Sequence, residues 1–329
     1  MNWLLSLAYI FVVPGFLFVL GFGMFAEWLD RFGYARMQRR VGPPLLQPFW
    51  DFVKLMAKED IVPEKADAGM FSAVPVVALA SVLCAALYIP AVAAQSLFSF
   101  QGDLIMVLYL LTIPSLALFL AGWHSGNQFG QVGAMRVATQ LFSYEVPFFL
   151  ALLAPALLAG SWNLSDIVAY ASTEPLGMLV TLLGFLIGVI ALQGKLERLP
   201  FDIPDAETEI VGGPLTEYSG RRLALFRLLR DAEMVVGAGL LAAVFLGGPL
   251  LPEMLFDISS MDSVWLRWII GFAVFLVKTL IVILLLVLMK SAVARIRIDQ
   301  MVAVSYKWLI QLGVVQILIV LVIRALEVF

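Results

Sequence analysis

Six carboxylates fall within the 24 residues from Glu197 to Gly220, ERLPFDIPDAETEIVGGPLTEYSG: Glu197, Asp202, Asp205, Glu207, Glu209 and Glu217. Acids so concentrated handle protons, recruit cations or receive a partner's basic surface. Asp205, Glu207 and Glu209 follow an i, i+2, i+4 spacing. On a helix Asp205 and Glu209 share a face and Glu207 points away; on extended backbone all three align. Either arrangement crowds like charges, so the group titrates as a unit. Arg198, Arg221 and Arg222 are the nearby counter-charges. Phe201, Ile203, Ile210, Val211 and Leu215 are interleaved with the acids, and a freely solvated loop would not need them.

Other charges stand inside apolar runs. Glu145 sits in QLFSYEVPFF and Lys278 in FLVKTLIV. A carboxylate in a membrane span is costly, so it either joins a proton or polar network or makes a structural hydrogen bond. Lys278 pairs with an acid, titrates low, or reaches for the lipid interface. Asp231 and Glu233 follow Arg227 and Arg230 at the start of another apolar run, as path carboxylates or as acids paired near a helix boundary. Arg136 precedes Glu145 by nine residues, ~13.5 Å along a helix, too far for pairing on one straight helix; it suits the acidic connection instead.

The elements that position these groups are membrane helices. The chain has 329 residues, 62% hydrophobic and only 14% charged, far more apolar than a soluble domain. Eight spans are expected near 3–25, 70–96, 104–123, 134–160, 176–194, 224–248, 264–289 and 303–326. Pro14, Pro75, Pro90, Pro114, Pro147 and Pro155 fall inside them. This is an all-α, polytopic membrane protein, a single membrane domain over 1–329. The first segment lacks a basic n-region and a small-residue cleavage site, and reads as a retained span. No internal repeat supports an inverted-repeat transporter.

Of the 21 Lys and Arg, 18 lie in or beside alternate connections, at about 26–69, 124–133, 195–223 and 290–302. The opposite connections carry Asp103, Asp166, Glu174, Glu253, Asp257 and Asp262. The positive-inside rule makes the basic connections cytoplasmic and puts both termini outside. Residues 48–58 place Asp51, Lys54 and Lys58 opposite Phe49, Phe52, Val53 and Met56, which suits a helix at the cytoplasmic interface or a connector packed on protein.

Cys84 and His124 are the only cysteine and histidine. Alone, the chain therefore cannot ligate an iron–sulfur cluster, a nickel–iron centre or a bis-histidine haem. Cys84 reads as a small buried core residue. No phosphate-cradling or nucleic-acid motif is present.

PFDIPDAETEIVGGPLTEYSG resembles the signature of the membrane subunit at the heel of respiratory complex I, the NADH-quinone oxidoreductase. Asp30-Arg31 through Met37-Gln38, Arg40–Pro43, Leu45–Pro48 and Lys54…Lys58-Glu59 resemble that family's first cytoplasmic loop. Gly133–Val146, Ala294–Gln300 and Tyr306–Trp308 are similar to its fourth-helix region and last connection. The likeness covers nearly the whole chain. It implies a role in redox-driven ion pumping, with Glu145, Glu207 and Glu209 as path carboxylates; Asp205, Glu217, Asp231, Glu233 and Lys278 are the further residues expected on the proton or ion path. Asp30, Arg36, Arg39, Arg40, Arg136, Arg198, Arg221, Arg222, Arg295, Arg297 and Asp299 form the loop and docking network.

Within the family, the run Gly42–Pro48 is compact, Gly213-Pro214 stands in the GPxxEYSG form, Asp205 replaces a glutamate, and Arg230 or Asp231 aligns with a sixth-span glutamate. The compact run, the GPxxEYSG form and the RIRID tail, Arg295–Asp299, resemble the corresponding subunit of membrane-bound, ferredoxin-linked nickel–iron hydrogenases and sulfane reductases. That resemblance implies a chain without its own cofactor, in a prokaryotic cytoplasmic (inner) membrane. Its partners would be peripheral redox subunits of nickel–iron large-subunit and iron–sulfur small-subunit type, antiporter-like membrane subunits and lipid. The alternatives are a subunit lining a quinone pocket and a self-sufficient ion transporter.

Overall fold

Apolar runs separated by clusters of charge give a bundle of antiparallel helices whose charged loops gather at one end. The structure, a computed structural model, describes residues 7, 9–96, 98–251 and 263–326. The side chains of Glu207 and Val264 lie outside that description, as do Glu253, Asp257 and Asp262 and the start of the first expected span. Among the described residues there is no strand.

The helices are α1 (Phe16–Met37), α2 (Gln47–Met56), α3 (Ala68–Tyr88), α4 (Asp103–Trp123), α5 (Gln128–Ala159), α6 (Leu164–Thr173), α7 (Pro175–Leu179), α8 (Leu182–Lys195), α9 (Glu207–Ile210), α10 (Gly220–Leu246), α11 (Val264–Ala292), α12 (Ile298–Val304) and α13 (Ile310–Ala325). A π-helical turn at Ser305–Leu309 joins the last two. Among the described residues, six helical stretches are long and apolar enough to cross a membrane: Tyr9–Met37, Ala68–Tyr88, Asp103–Trp123, Gln128–Ala159, Trp265–Ala292 and Ile298–Ala325.

Two expected spans take other forms. The one at 176–194 is broken into α7 and α8, and α8 has only 14 residues. The break frees the Val180 carbonyl, which accepts a hydrogen bond from Gln316 Nε2 of α13 at 2.7 Å, so no backbone group is stranded. The one at 224–248 is α10, 27 residues long and about 40 Å from end to end. Arg227, Arg230, Asp231 and Glu233 lower the hydropathy of its first half. It is nonetheless the buried axis of the bundle, packed by α1, α3 and α11, with Leu229, Ala232, Ala238 and Leu240 fully enclosed.

Helix ends also differ from the expected limits. The span at 70–96 stops at Tyr88, because Ile89 is held extended before Pro90. α1 runs to Met37, well past residue 25, because its charges are paired inside the bundle. α5 starts at Gln128, where Asn127 Oδ1 accepts from the Phe129 amide at 2.9 Å. Cys84 departs from its expected place: it faces outward from α3 and is not a core residue. On α2, Pro48 and Leu55 pack inward, while Phe49, Trp50, Val53 and Met56 are exposed.

Candidate functional site: a buried chain of charges

At the charged end, helix α10 and the turn after α8 bring together ionic groups that the sequence keeps far apart. Arg198 is the hub. Its guanidinium meets Glu27 at 2.7 Å, Asp30 at 2.9 Å and Asp231 at 3.8 Å. Glu27 also meets Arg31 at 2.7 Å, which reaches Asp51 of α2 at 2.9 Å. Lys290 of α11 joins Asp30 at 2.5 Å. Gly23 permits this approach, since a Cβ there would stand 3.1 Å from the Asp231 carbonyl carbon of α10.

One residue along each element, Arg230 pairs with Glu197 at 3.2 Å and with Asp205. Glu197 has φ +51°, a left-handed conformation at the end of α8 where glycine is usual. A glutamate held there carries backbone strain, and it is buried. Burial pushes its carboxyl up to about 8; Arg230 opposes this, and Asp205 and Glu233 add to it.

The chain continues along α8 to Lys195, which donates to Glu145 Oε2 at 2.5 Å. Glu145 Oε1 accepts from Thr112 of α4 at 2.7 Å. Glu233 lies one turn beyond Arg230 on α10 and is 3% exposed; its Oε1 makes no hydrogen bond. The Glu145 side chain is 27% exposed, among exposed Phe142, Val146 and Phe149. The chain of charges therefore reaches the apolar flank of the bundle there. A cleft of about 250 Å³ opens onto its other end, lined by Leu196 and nine charged residues, Arg31, Arg198, Arg227 and Asp231 among them.

The remaining expected residues lie elsewhere. Asp205 and Glu209 do not share a helix face: α9 begins at Glu207, so Asp205 precedes it and turns inward to Arg230. Glu209 turns outward to Arg136, at 2.6 Å, and hydrogen bonding and charge from Arg136 hold its carboxyl below the usual range. Arg136 also donates to the Ile203 carbonyl at 3.3 Å. Arg295 meets Asp202 at 3.1 Å; burial raises the Asp202 carboxyl and Arg295 opposes it. Arg136, Glu209, Arg295, Arg297 and Asp299 line a surface cleft of about 270 Å³.

Glu217 accepts from Asn127 at 2.5 Å, tying the acidic connection to the start of α5. Arg222 binds Asp60 at 2.8 Å and Ser72 at 2.9 Å. Arg36 lies 5.0 Å over the Phe32 ring. Arg39, Arg40 and Arg221 are exposed. Only the backbone of Glu207 is described.

Lys278 stands apart from the carboxylates, at the opposite end of α10. Its ammonium donates to the Leu246 carbonyl at 2.5 Å and to that of Leu250. It caps the C-terminus of α10, where Gly247 turns left-handed. Arg324 does the same for α5, donating to Leu157 O at 2.6 Å beside left-handed Gly160.

Sequence reasoning missed Glu27, Arg31, Asp51, Lys195 and Lys290 as site residues, named Arg230 only as aligned with a sixth-span glutamate, and counted Glu197 only as one acid among six. Glu27 and Lys290 sit near span ends, where charge is ordinary. Two signals were readable: Glu197 ends an apolar helix without a glycine, and Lys195 is the one charge of the apolar run 176–195, which it closes just before Glu197 and Arg198.

A family model described as NADH dehydrogenase matches residues 9–321. An NADH-quinone oxidoreductase subunit of Dehalococcoides mccartyi is 32% identical over 326 residues, 96% of this chain and 86% of that protein. The like-named protein of Syntrophobacter fumaroxidans is 36% identical, with 89% and 88% covered. NADH-quinone oxidoreductase subunit 8 of Thermus thermophilus is 33% identical, with 99% and 88% covered. Among solved structures, a chain of the membrane-bound sulfane sulfur reductase, an archaeal respiratory membrane complex, superposes with a TM-score of 0.81 at 26% identity, covering 96% of this chain and 98% of that one.

Proposed function

Because this chain belongs to the NADH dehydrogenase family, as the heel-type membrane component of a complex-I-like respiratory assembly, we propose that it couples redox chemistry in partner subunits to ion translocation. The observation that carries the proposal is the largely enclosed chain of charges from Asp51 through Arg31, Glu27, Arg198, Asp231, Arg230 and Glu197 to Lys195 and Glu145, buried at Glu197 and Lys195 and partly exposed at its ends. So many desolvated ions are a poor route to stability alone, since apolar packing serves that purpose as well. They suit a path on which one protonation biases the next.

In this reading the charged end faces the cytoplasm and receives the peripheral redox arm, whose components hold the iron–sulfur and nickel–iron centres. Both termini are then outside. Glu145, already paired with Lys195 and Thr112, stands at the apolar flank, where the path passes to a neighbouring antiporter-like membrane subunit. The likeness to the sulfane sulfur reductase chain, the compact Gly42–Pro48 run and Gly213-Pro214 support an assembly of the ferredoxin-linked hydrogenase and sulfane-reductase kind.

A second reading has the chain line a quinone pocket, and the names of the relatives at 32–36% identity favour it. The cleft of about 250 Å³ argues the other way: nine of its ten lining residues are charged, whereas pockets for such ligands are mostly apolar. The test is Glu233→Gln in the assembled complex in liposomes. Electron transfer is expected to persist while ion uptake falls at least about tenfold, the scale of losing one transition-state interaction. Full ion uptake by that variant would refute the coupling role.

A further inference from the structure

A small cavity is lined by both Glu197 and the Lys195–Glu145 pair, with Val137 and Leu141 as its apolar wall. It has a volume of about 10 Å³ and is bounded by Gln140 and Tyr144 of α5 and by Glu145, Lys195 and Glu197. Tyr144 Oη, Gln140 Oε1 and Glu197 Oε1 are buried, and none has a hydrogen-bond partner among the described residues. The three residues are 1%, 2% and 5% exposed. The Gln140 amide has a fixed sense, because its Nε2 donates to Gly194 O at 2.6 Å and to Phe201 O at 2.8 Å. Both hydrogens are used, so its oxygen must find a donor elsewhere. The Tyr144 ring lies against Gly194, where a Cβ would stand 2.5 Å from it. The hydroxyl is thereby held in place between α5 and α8.

Buried unpaired polar atoms are rare and costly, and three around one cavity demand a shared partner. A space of this size is about that of one water, which needs two to four polar partners. We propose that the cavity binds one ordered water, which accepts from Tyr144 Oη–H, donates to Gln140 Oε1, and links Glu197 to the Lys195–Glu145 pair. In the protonated state Glu197 donates to this water, and as a carboxylate it accepts from it. A proton leaving Glu197 enters the water as another leaves the water for Glu145, so no water is consumed and no charge is lost. Tyr144 and Gln140 thereby become positioning residues of the path. The relay rests on the coupling role proposed above, whereas the water site does not.

The experiment compares the intact complex with its Tyr144→Phe form, which removes one oxygen and leaves the ring packing. Both are imaged by cryo-electron microscopy at a resolution that shows ordered water, and both are assayed for ion uptake per electron. The wild type is expected to show a water within hydrogen-bond distance of Tyr144 Oη, Gln140 Oε1, Glu197 Oε1 and a carboxylate oxygen of Glu145. Tyr144→Phe is expected to lose it and to translocate ions about fivefold more slowly, the scale of one hydrogen bond. A dry cavity in the wild type overturns the site, whatever the uptake. A water in the wild type with undiminished uptake by Tyr144→Phe overturns the relay and leaves the wider coupling role to the Glu233→Gln result.

Discussion

Glu197 and Arg230 meet at 3.2 Å across 33 residues of sequence, and the residue after each, Arg198 and Asp231, forms the adjoining pair at 3.8 Å. The two rungs have opposite polarity. A slip by one residue would set Arg198 against Arg230 and leave Asp231 without its partner cation. Like charges in a buried site are costly, so the doublet fixes the register between the end of α8 and the axis helix α10. It also places a carboxyl and a guanidinium of each element on one continuous line.

Arg198→Met should be among the most damaging single changes. It leaves Glu27 and Asp231 without the hub cation and Asp30 with Lys290 alone. Breaking a buried ion pair costs about 3–5 kcal/mol. Thermal unfolding of the chain in lipid nanodiscs checks this. A loss below about 1 kcal/mol, the range of exposed pairs, would show that the hub is solvated.

Glu197 should carry a proton at neutral pH, because burial raises its carboxyl to about 8. The raised value means that its protonated form favours the fold. That contribution is complete below the ordinary value of 4.5 and is lost as pH rises through about 8. Difference infrared spectroscopy should show a protonated carboxyl signal that disappears near that pH and is missing in Glu197→Gln. A signal lost near 4.5 would mean that water reaches the group freely.

Glu209 should behave oppositely. Arg136 lowers its carboxyl, so the pair contributes above the ordinary carboxylate value and is lost as pH falls through the lowered one. Because the side chain is exposed, Glu209→Gln should leave the unfolding temperature unchanged at neutral pH. It should weaken association with the peripheral subunits at low salt, measured by binding across a salt series. Unchanged binding would remove Glu209 from the docking surface.

Lys278→Met should destabilise the chain by about 1–3 kcal/mol, the cost of leaving buried hydrogen-bonding groups unpaired. Lys278→Arg should restore most of it. Assembled Lys278→Met complex should still move ions at the wild-type rate. Loss of ion uptake with normal stability would return Lys278 to the path.

The helical class and most of the membrane crossings were legible because long apolar runs allow little else. The exceptions have local causes. α10 hides its length behind six charges in its first half, and α8 is shortened by a break whose freed Val180 carbonyl is met by Gln316 of a distant helix. Glu145, Asp205, Asp231 and Glu233 stood out as charges in apolar surroundings. Glu27, Lys195 and Lys290 did not, since a charge near a helix end is ordinary until its partner is known. Asp205 and Glu209 are four residues apart, yet one points into the bundle and the other out of it; that choice belongs to Arg230 and Arg136, not to the spacing.

The most direct test of the account is Glu145→Gln, measured as ions taken up per electron by the assembled complex in liposomes. The substitution keeps the shape and a hydrogen bond to Thr112 but removes the charge that Lys195 meets. The account predicts assembly and electron transfer close to wild type, with ion uptake per electron reduced at least about tenfold. An unchanged ratio would contradict it, and the buried charges would then be structural.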